Sequence, residues 1–255
     1  MTPYKPKTRL FVDAGLTAGG GLEITEAQAY YLGHVMRLGT GDGVVLFNGR
    51  DGEWSAAIDS LAKKQGALTV EKLLLPQSAE PGPWLAFAPI KKASTDFIIE
   101  KATELGVSRL CPVFTKNTNT TRINPDRFRA HAIEAAERSQ RLTVPEIMEP
   151  QTLDPLIAGW PPGRILLHLD ESGGGRPIAE VLAGLRDQGG GEPSCGFLSG
   201  PEGGFDASEL DALGKLDFVT GVDLGPRVLR ADTAALSALA CWQALLGGAA
   251  AKPVL

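Results

Sequence analysis

Two stretches of the sequence carry residues whose types and spacing suit ligand chemistry. The first is Leu198-Ser199-Gly200-Pro201-Glu202-Gly203-Gly204-Phe205, at the end of the apolar run Gly196–Ser199. Three glycines let backbone N–H and C=O groups come close to a flat ligand. The loop leads into a helix that Asp206 and Glu209 would cap, and the carboxyl end of a parallel strand is where α/β sheets bind ligands. A strand-to-helix turn stiffened by proline explains the same residues without a ligand. The second stretch is Leu224-Gly225-Pro226-Arg227-Val228-Leu229-Arg230-Ala231-Asp232-Thr233. Its two arginines precede an uncharged helix in an acidic part of the chain, residues 151–255, which holds 7 bases and 13 acids. Burial there would oblige each guanidinium to find an anion. Asp232 is a local partner for Arg230, or a cap for the helix through its carboxylate. The alternative is a ligand carboxylate, a phosphate or a negative charge developing in a reaction.

Other chemistry finds little support. The dinucleotide, Walker, nucleophile-elbow and zinc-protease motifs are absent. Ser60-Leu61-Ala62-Lys63 matches S-x-x-K but lies in a β-rich part without companion motifs. His34, His131 and His168 stand without ligand spacing, so no metal is expected. Cys111, Cys195 and Cys241 are odd in number and far apart, which fits buried apolar thiols better than disulfides.

The elements that must position the two loops follow from periodicity. Residues 1–75 read as β-rich, with strands at Arg9–Asp13, Val44–Phe47, Trp54–Ile58 and Leu68–Leu75 separated by glycine-containing turns. Thr25 and Gln28 form a capping-box pattern before Tyr30, Tyr31, His34, Val35 and Leu38 at helical spacing. Residues 76–84, with three prolines, read as a linker. Residues 85–255 alternate strand and helix. Strands are expected at Leu85–Ile90, Arg109–Phe114, Arg164–Asp170, Gly196–Ser199 and Phe218–Leu224, and helices at Thr95–Leu105, Pro125–Arg141, Pro177–Arg186 and Ala207–Leu216. Asn124 before Pro125 marks a helix start and Gly106 a helix end. Such alternation argues a mostly parallel sheet with helices on both faces. The last helix, from Thr233 to Leu246, is apolar all round, which implies a partner subunit covering one side or a central place within one domain.

Thirty acids against 25 bases give a net charge of −5, which argues against a generally basic nucleic-acid coat. The charge is uneven, however. Lys116, Arg122, Arg127, Arg129, Arg138 and Arg141 face only Asp126, Glu134 and Glu137 within Thr115–Arg141, and Lys5, Lys7 and Arg9 open the chain with no acid. These basic groups are candidates for nucleic-acid phosphates, with a solvated charged face as the plainer reading. The start MTPYKPKTRL lacks a signal-peptide core, and the uncharged run Thr233–Ala251 is interrupted by Gly247-Gly248. The chain is expected in the cytoplasm, with neither membrane nor DNA as partner.

The pair GPEGGF and LGPRVLRADTA, with KKASTDFIIEKATELGV and EAAERSQRLTVPEI upstream, closely resembles the bacterial ribosomal RNA small subunit methyltransferase E family. That family belongs to the SPOUT class of S-adenosylmethionine-dependent methyltransferases, and the resemblance covers nearly the whole chain. It implies a PUA-like β-barrel for RNA (residues 1–75) and a knotted α/β SPOUT domain with a trefoil knot and a parallel sheet (residues 85–255) that forms a homodimer. It implies a cofactor site from Leu167, His168 and Leu169, from Leu198, Ser199, Gly200, Pro201, Glu202 and Gly203, and from Leu224, Gly225, Pro226, Val228 and Leu229 with Thr233 and Ala234. The implied target is N3 of one uridine in 16S ribosomal RNA of the small ribosomal subunit, with Lys91 and Lys92 joining the basic residues as RNA contacts. Three places depart from the family's common pattern. Asp232 stands where glutamate is usual, Arg138-Ser139-Gln140-Arg141 replaces a more usual Gln-Ser/Cys-Gly-Arg, and Lys92-Ala93-Ser94 differs from a Lys-Gly-Asp-Arg-like start.

A methyl on a sulfonium is already activated, so such an enzyme mainly aligns donor and acceptor. Uracil N3 must be unpaired and must lose its proton. Arg230 is the first candidate to stabilise the resulting anion beside O2 or O4, Arg227 the second; Glu202 or Asp232 would take the proton or orient the arginine. Two rivals remain: a SPOUT methyltransferase acting on another ribosomal or transfer RNA site, and a non-catalytic RNA-binding assembly factor.

Overall fold

A computed structural model describes residues 8–120, 122–187 and 194–247. Lys5, Lys7 and the end of the uncharged run at Ala251 lie outside the described residues. The chain divides into two compact units, Met1–Glu80 with Ala136–Val144, and Pro81–Ala135 with Pro145–Leu255.

The first unit is a five-stranded sheet of β1 (Arg9–Phe11), β2 (Gly21–Ile24), β3 (Gly43–Phe47), β4 (Glu53–Leu61) and β5 (Gly66–Leu75), in the order β1-β3-β4-β5-β2. β1 runs parallel to β3 and the other pairs are antiparallel. Leu10, Val44, Leu46, Ile58, Leu68 and Val70 lie in one buried cluster. Helix α1 (Glu26–Tyr30) starts at the expected capping box, with the Thr25 hydroxyl accepting from the Gln28 amide and the Gln28 side chain accepting from the Thr25 amide. The helix expected to continue through Leu38 does not remain α. Tyr31–Val35 form a π turn, with the Met36 amide bonded to the Tyr31 carbonyl at 2.9 Å. Ala29, Leu32 and Leu38 are buried, whereas Tyr30, His34 and Val35 face solvent.

The second unit contains β6 (Trp84–Phe87), α2 (Lys92–Glu104), β7 (Arg109–Phe114), α3 (Pro125–Ser139, whose last residues cluster with the first unit), β8 (Glu146–Ile147), β9 (Gln151–Thr152) and α4 (Leu153–Ala158). It continues through β10 (Ile165–Leu169), β11 (Arg176–Pro177), α5 (Ile178–Asp187), β12 (Cys195–Ser199), α6 (Ala207–Leu213), β13 (Val219–Asp223) and α7 (Ala231–Leu245). Every strand pair is parallel, in the order β11-β13-β10-β12-β6-β7-β8, with β9 beside β7. Strands buried on both faces read as continuous apolar runs, which is why β6, β7, β10 and β12 stood out in the sequence, whereas β13 (VTGVD) buries only Val222. Burial pushes the Cys111 and Cys195 thiols up to about 12, as suits inert core cysteines. Helix α7 buries Ala235, Ala238, Leu239 and Trp242, while Leu236, Cys241 and Leu245 remain half-buried. No helix among the described residues is long and apolar enough to cross a membrane.

Two basic residues expected to meet RNA are instead structural. Arg9 lies over the Phe47 ring at 3.7 Å, pairs with Glu53 at 2.6 Å and donates to the carbonyls of Ala136 and Arg141. Burial lowers its pKa even against those partners. Arg141 is buried and paired with Glu80, whose carboxylate also accepts the amides of Leu142 and Thr143. A charge count cannot distinguish a cation folded into such a network from one facing solvent.

Gln140, where the family's usual motif has glycine, adopts φ 63°. This left-handed region suits glycine and strains other residues. Gln140→Gly is therefore expected to stabilise the first unit by roughly 0.5–1 kcal/mol, after the extra freedom of the unfolded chain offsets part of the relieved strain. Hydrogen exchange at the Leu142 amide would read the change; slower exchange supports it, and faster exchange refutes it.

Candidate functional site

Three parallel strands end side by side. His168 pairs with Leu198 on one side and Gly221 on the other, so the carboxyl ends of β10, β12 and β13 are flush to within about a residue. Their following loops enclose a cavity of 580 Å³, within the usual range of small-molecule sites. Its floor includes His168, which is 7% exposed and whose Nε2 has no hydrogen-bond partner. Burial lowers the His168 pKa, with Asp170 opposing, so the ring is neutral at neutral pH. The ring stands edge-on to Phe205 at 4.9 Å between centroids.

The first wall is the loop after β12. A Cβ on Gly200 would lie 2.6 Å from the Phe205 ring, so any larger residue there would have to displace that ring from its place against the loop. Asp206 and Glu209 form the expected capping box on α6. The segment after β7 straps this loop from behind. Asn117 Nδ2 donates to the carbonyls of Gly203 and Gly204 at 3.3 and 3.1 Å, and the Lys116 amide donates to Glu209 at 2.9 Å. Lys116 Nζ also reaches Asp206 and Ser208 at 2.8 and 2.6 Å. That ammonium, with Ser208 hydrogen bonds, holds the Asp206 carboxyl well below the usual carboxylate range.

The second wall is the loop after β13. Gly225 has φ 111°, and its amide donates to Asp223 at 3.0 Å. Arg227, Val228 and Arg230 are exposed, with Val228 at 79%. Arg230 immediately precedes the first turn of α7 without a side-chain cap, and its Nε lies 3.8 Å from Asp232. Asp232 turns toward its own helix and accepts from the Thr233 amide at 2.8 Å. The local ion pair thus exists, loosely, while the Arg230 side chain stays 75% exposed along the cavity wall.

The third contribution comes after β10. Burial raises the Asp170 carboxyl, but hydrogen bonds from Ser172, the charge of His168 and the Gly174 amide bring it below its ordinary value.

Of the residues singled out in the sequence, His168, Leu169, Ser199, Gly200, Pro201, Glu202, Leu224–Arg230 and Ala234 line the cavity. Leu167 and Leu198 are in the core, while Gly203, Asp232 and Thr233 are off the lining. Sequence reasoning missed Asp170–Gly173, Phe205, Leu210 and the Asn117 strap. The first group directly follows a recognised strand, and that position was the available signal. Nothing local marks Asn117. Lys91, Lys92, Lys116, Arg122 and Arg138 are all exposed, and the Lys116 ammonium pairs with Asp206 at 2.8 Å. Removing the strap by Asn117→Ala should speed hydrogen exchange of the Gly204 amide about tenfold or more, since two hydrogen bonds of about 1 kcal/mol each are lost. Equal exchange in the two proteins would show that the strap does not hold the loop.

The chain is similar to known proteins. The profile of an RNA methyltransferase domain matches residues 80–243, and that of an RNA methyltransferase PUA domain matches residues 24–71. Ribosomal RNA small subunit methyltransferase E of Rickettsia conorii is 29% identical, over 91% of this chain and 93% of its own. The protein of that name from Synechocystis sp. is 31% identical, over 88% and 73%. A methyltransferase from Legionella pneumophila, solved with the cofactor SAM, superposes with a TM-score of 0.81 at 27% identity, covering 94% of this chain and 98% of its own. With the domain profile spanning well over half its length, the chain belongs to the RNA methyltransferase family, and within it to the ribosomal RNA small subunit methyltransferase E family.

Proposed function

We propose that this chain methylates N3 of one uridine of 16S ribosomal RNA in the small ribosomal subunit, with S-adenosylmethionine as methyl donor. The observation that carries the reading is the cavity itself. It is walled by a glycine loop that a single Cβ would disrupt, it has an orphaned imidazole nitrogen on its floor, and an exposed arginine stands at its wall. Close backbone approach and a neutral polar contact suit an adenosyl group. The residues fit the cofactor. His168, the Gly200–Pro201 backbone and the Leu224–Leu229 segment would hold it. When bound, it supplies an activated methyl group.

The chain's own residues then have to prepare the base. Arg230 stabilises the anion at uracil O2 or O4 as N3 loses its proton, Asp232 orients Arg230, and Glu202, exposed on the cavity lining, accepts the proton. Arg227 is the second choice for the anion. Lys91, Lys92, Arg122 and Arg138 present cations to RNA phosphates. The half-buried Leu236 and Leu245 of α7 support a homodimer in which a second copy covers that helix. The knotted SPOUT topology and a place in the cytoplasm accompany the same reading.

Arg230→Ala should lower single-turnover methylation of small ribosomal subunits by about 10²–10³-fold while leaving S-adenosylhomocysteine affinity intact. An unchanged rate rejects the assignment. Mass spectrometry of the product RNA tests the N3 position, since a mark elsewhere would favour another SPOUT activity.

Cofactor binding should also depend on pH through His168. Protonation adds a cation beside a sulfonium ligand. Because the folded pKa lies below the ordinary imidazole value, affinity is expected to be level at neutral pH and to fall only below about pH 6.5. His168→Gln should remove that step in calorimetry. A step that persists in the variant assigns it to another group.

A further inference from the structure

The first unit leaves an uncommon surface on one turn. Tyr30 is 49% exposed and Val35 59%, and His34 is exposed between them. The Tyr30 and His34 rings stack with centroids 4.8 Å apart and planes 20° from parallel. The turn that presents them is the π turn Tyr31–Val35, a form enriched at functional sites because it is less stable than α-helix. It is followed by Arg37 at φ 55°, a conformation that strains any residue other than glycine. The chain thus carries two local costs beside this exposed aromatic pair.

We infer that the Tyr30–His34 stack is a platform for an unpaired RNA base, with Arg37 placed for an adjoining phosphate. This rests on the reading of the chain as an RNA-modifying enzyme. Near-parallel rings are extended by a third flat ring, and every nucleobase has such a face; base–aromatic stacking tolerates any sequence. The charges nearby suit a polyanion. Arg37 is exposed. Lys64 makes an exposed pair with Glu26 at 3.3 Å, the kind of ion pair that contributes little and is readily exchanged for phosphate. The whole turn falls within residues 24–71, the stretch that matches an RNA methyltransferase PUA domain. With Arg9 folded into the unit's interior, the stack offers RNA a contact of another kind.

The test is equilibrium binding of the full-length protein to a short single-stranded oligouridylate, followed by fluorescence anisotropy over a range of salt. Tyr30→Ala should weaken binding about tenfold without changing the salt dependence, because a ring carries no charge. Tyr30→Phe should bind like wild type, since the ring face and not the hydroxyl makes the contact. Arg37→Gln should reduce the salt slope by about one. S-adenosylhomocysteine affinity should be unchanged in all three, which separates loss of the platform from loss of fold. Wild-type affinity in Tyr30→Ala overturns the platform, as does a Tyr30→Phe variant no better than alanine. A loss of self-association in Tyr30→Ala, seen by sedimentation with RNA binding intact, would make the turn a contact between copies and overturn it too. Failure of the wild-type protein to bind RNA or to methylate small subunits would instead remove the enzymatic reading beneath it.

Discussion

Everything at the site depends on the order in which the parallel strands lie. β12 enters between β10 and β6, and β13 lies on the far side of β10. Three loops separated by tens of residues therefore leave the sheet from adjacent strands at one level. Had the strands kept chain order, the glycine loop and the arginine loop could not face each other across His168. The arrangement rests on main-chain pairing between strands that carry buried residues such as Leu166, Phe197 and Val222. Its contacts are almost all non-local, which makes it slow to form, and it leaves no edge at the cavity.

The two main walls of that cavity are held very differently. The loop after β12 is fixed twice: by the α6 capping box in front, and by Lys116 and Asn117 behind. Glu209 belongs to both devices, accepting the Asp206 amide with one oxygen and the Lys116 amide with the other. The loop after β13 carries its exposed side chains with fewer tethers, chiefly the Gly225 amide to Asp223 and the long Arg230–Asp232 pair. A rigid wall suits a small ligand whose shape never changes. An adaptable wall suits the side from which a large, variable substrate must approach, so the proposed division between cofactor loop and base-facing arginine follows the mechanics of the loops.

Much of this was legible in the sequence. Parallel strands announce themselves as unbroken apolar runs, so Arg109–Phe114 is found where it was expected, and the other main strands shift by a few residues at their ends. Capping boxes at Thr25 and Asp206 are local chemistry and need no tertiary information. The π turn was not legible, because over a single turn a spacing of three or four residues fits both an α and a π helix. The departure at Gln140 was visible as a changed motif, but its meaning was not: only the backbone reveals that the position sits at φ 63°. Arg9 shows the same limit for charge. Its neighbours in sequence are basic, yet its partners, Glu53 and two carbonyls near the end of α3, come from remote parts of the chain.

The fate of Arg9 bears on how a chain with a net charge of −5 can hold RNA at all. Phosphate contacts gain their strength from counterion release and lose it in salt, and an acidic protein must confine them to local patches. As proposed, exposed Lys91, Lys92 and Arg122 would provide such a patch in the second unit. On the proposed reading, the first unit contributes by another route. A stacked ring attracts a base through dispersion and exclusion of water, neither of which is opposed by the acidic surface around it. Binding divided in this way spreads the attraction between phosphate contacts and a stacked base, an arrangement that lets an acidic enzyme select unpaired RNA without adhering to every polyanion it meets.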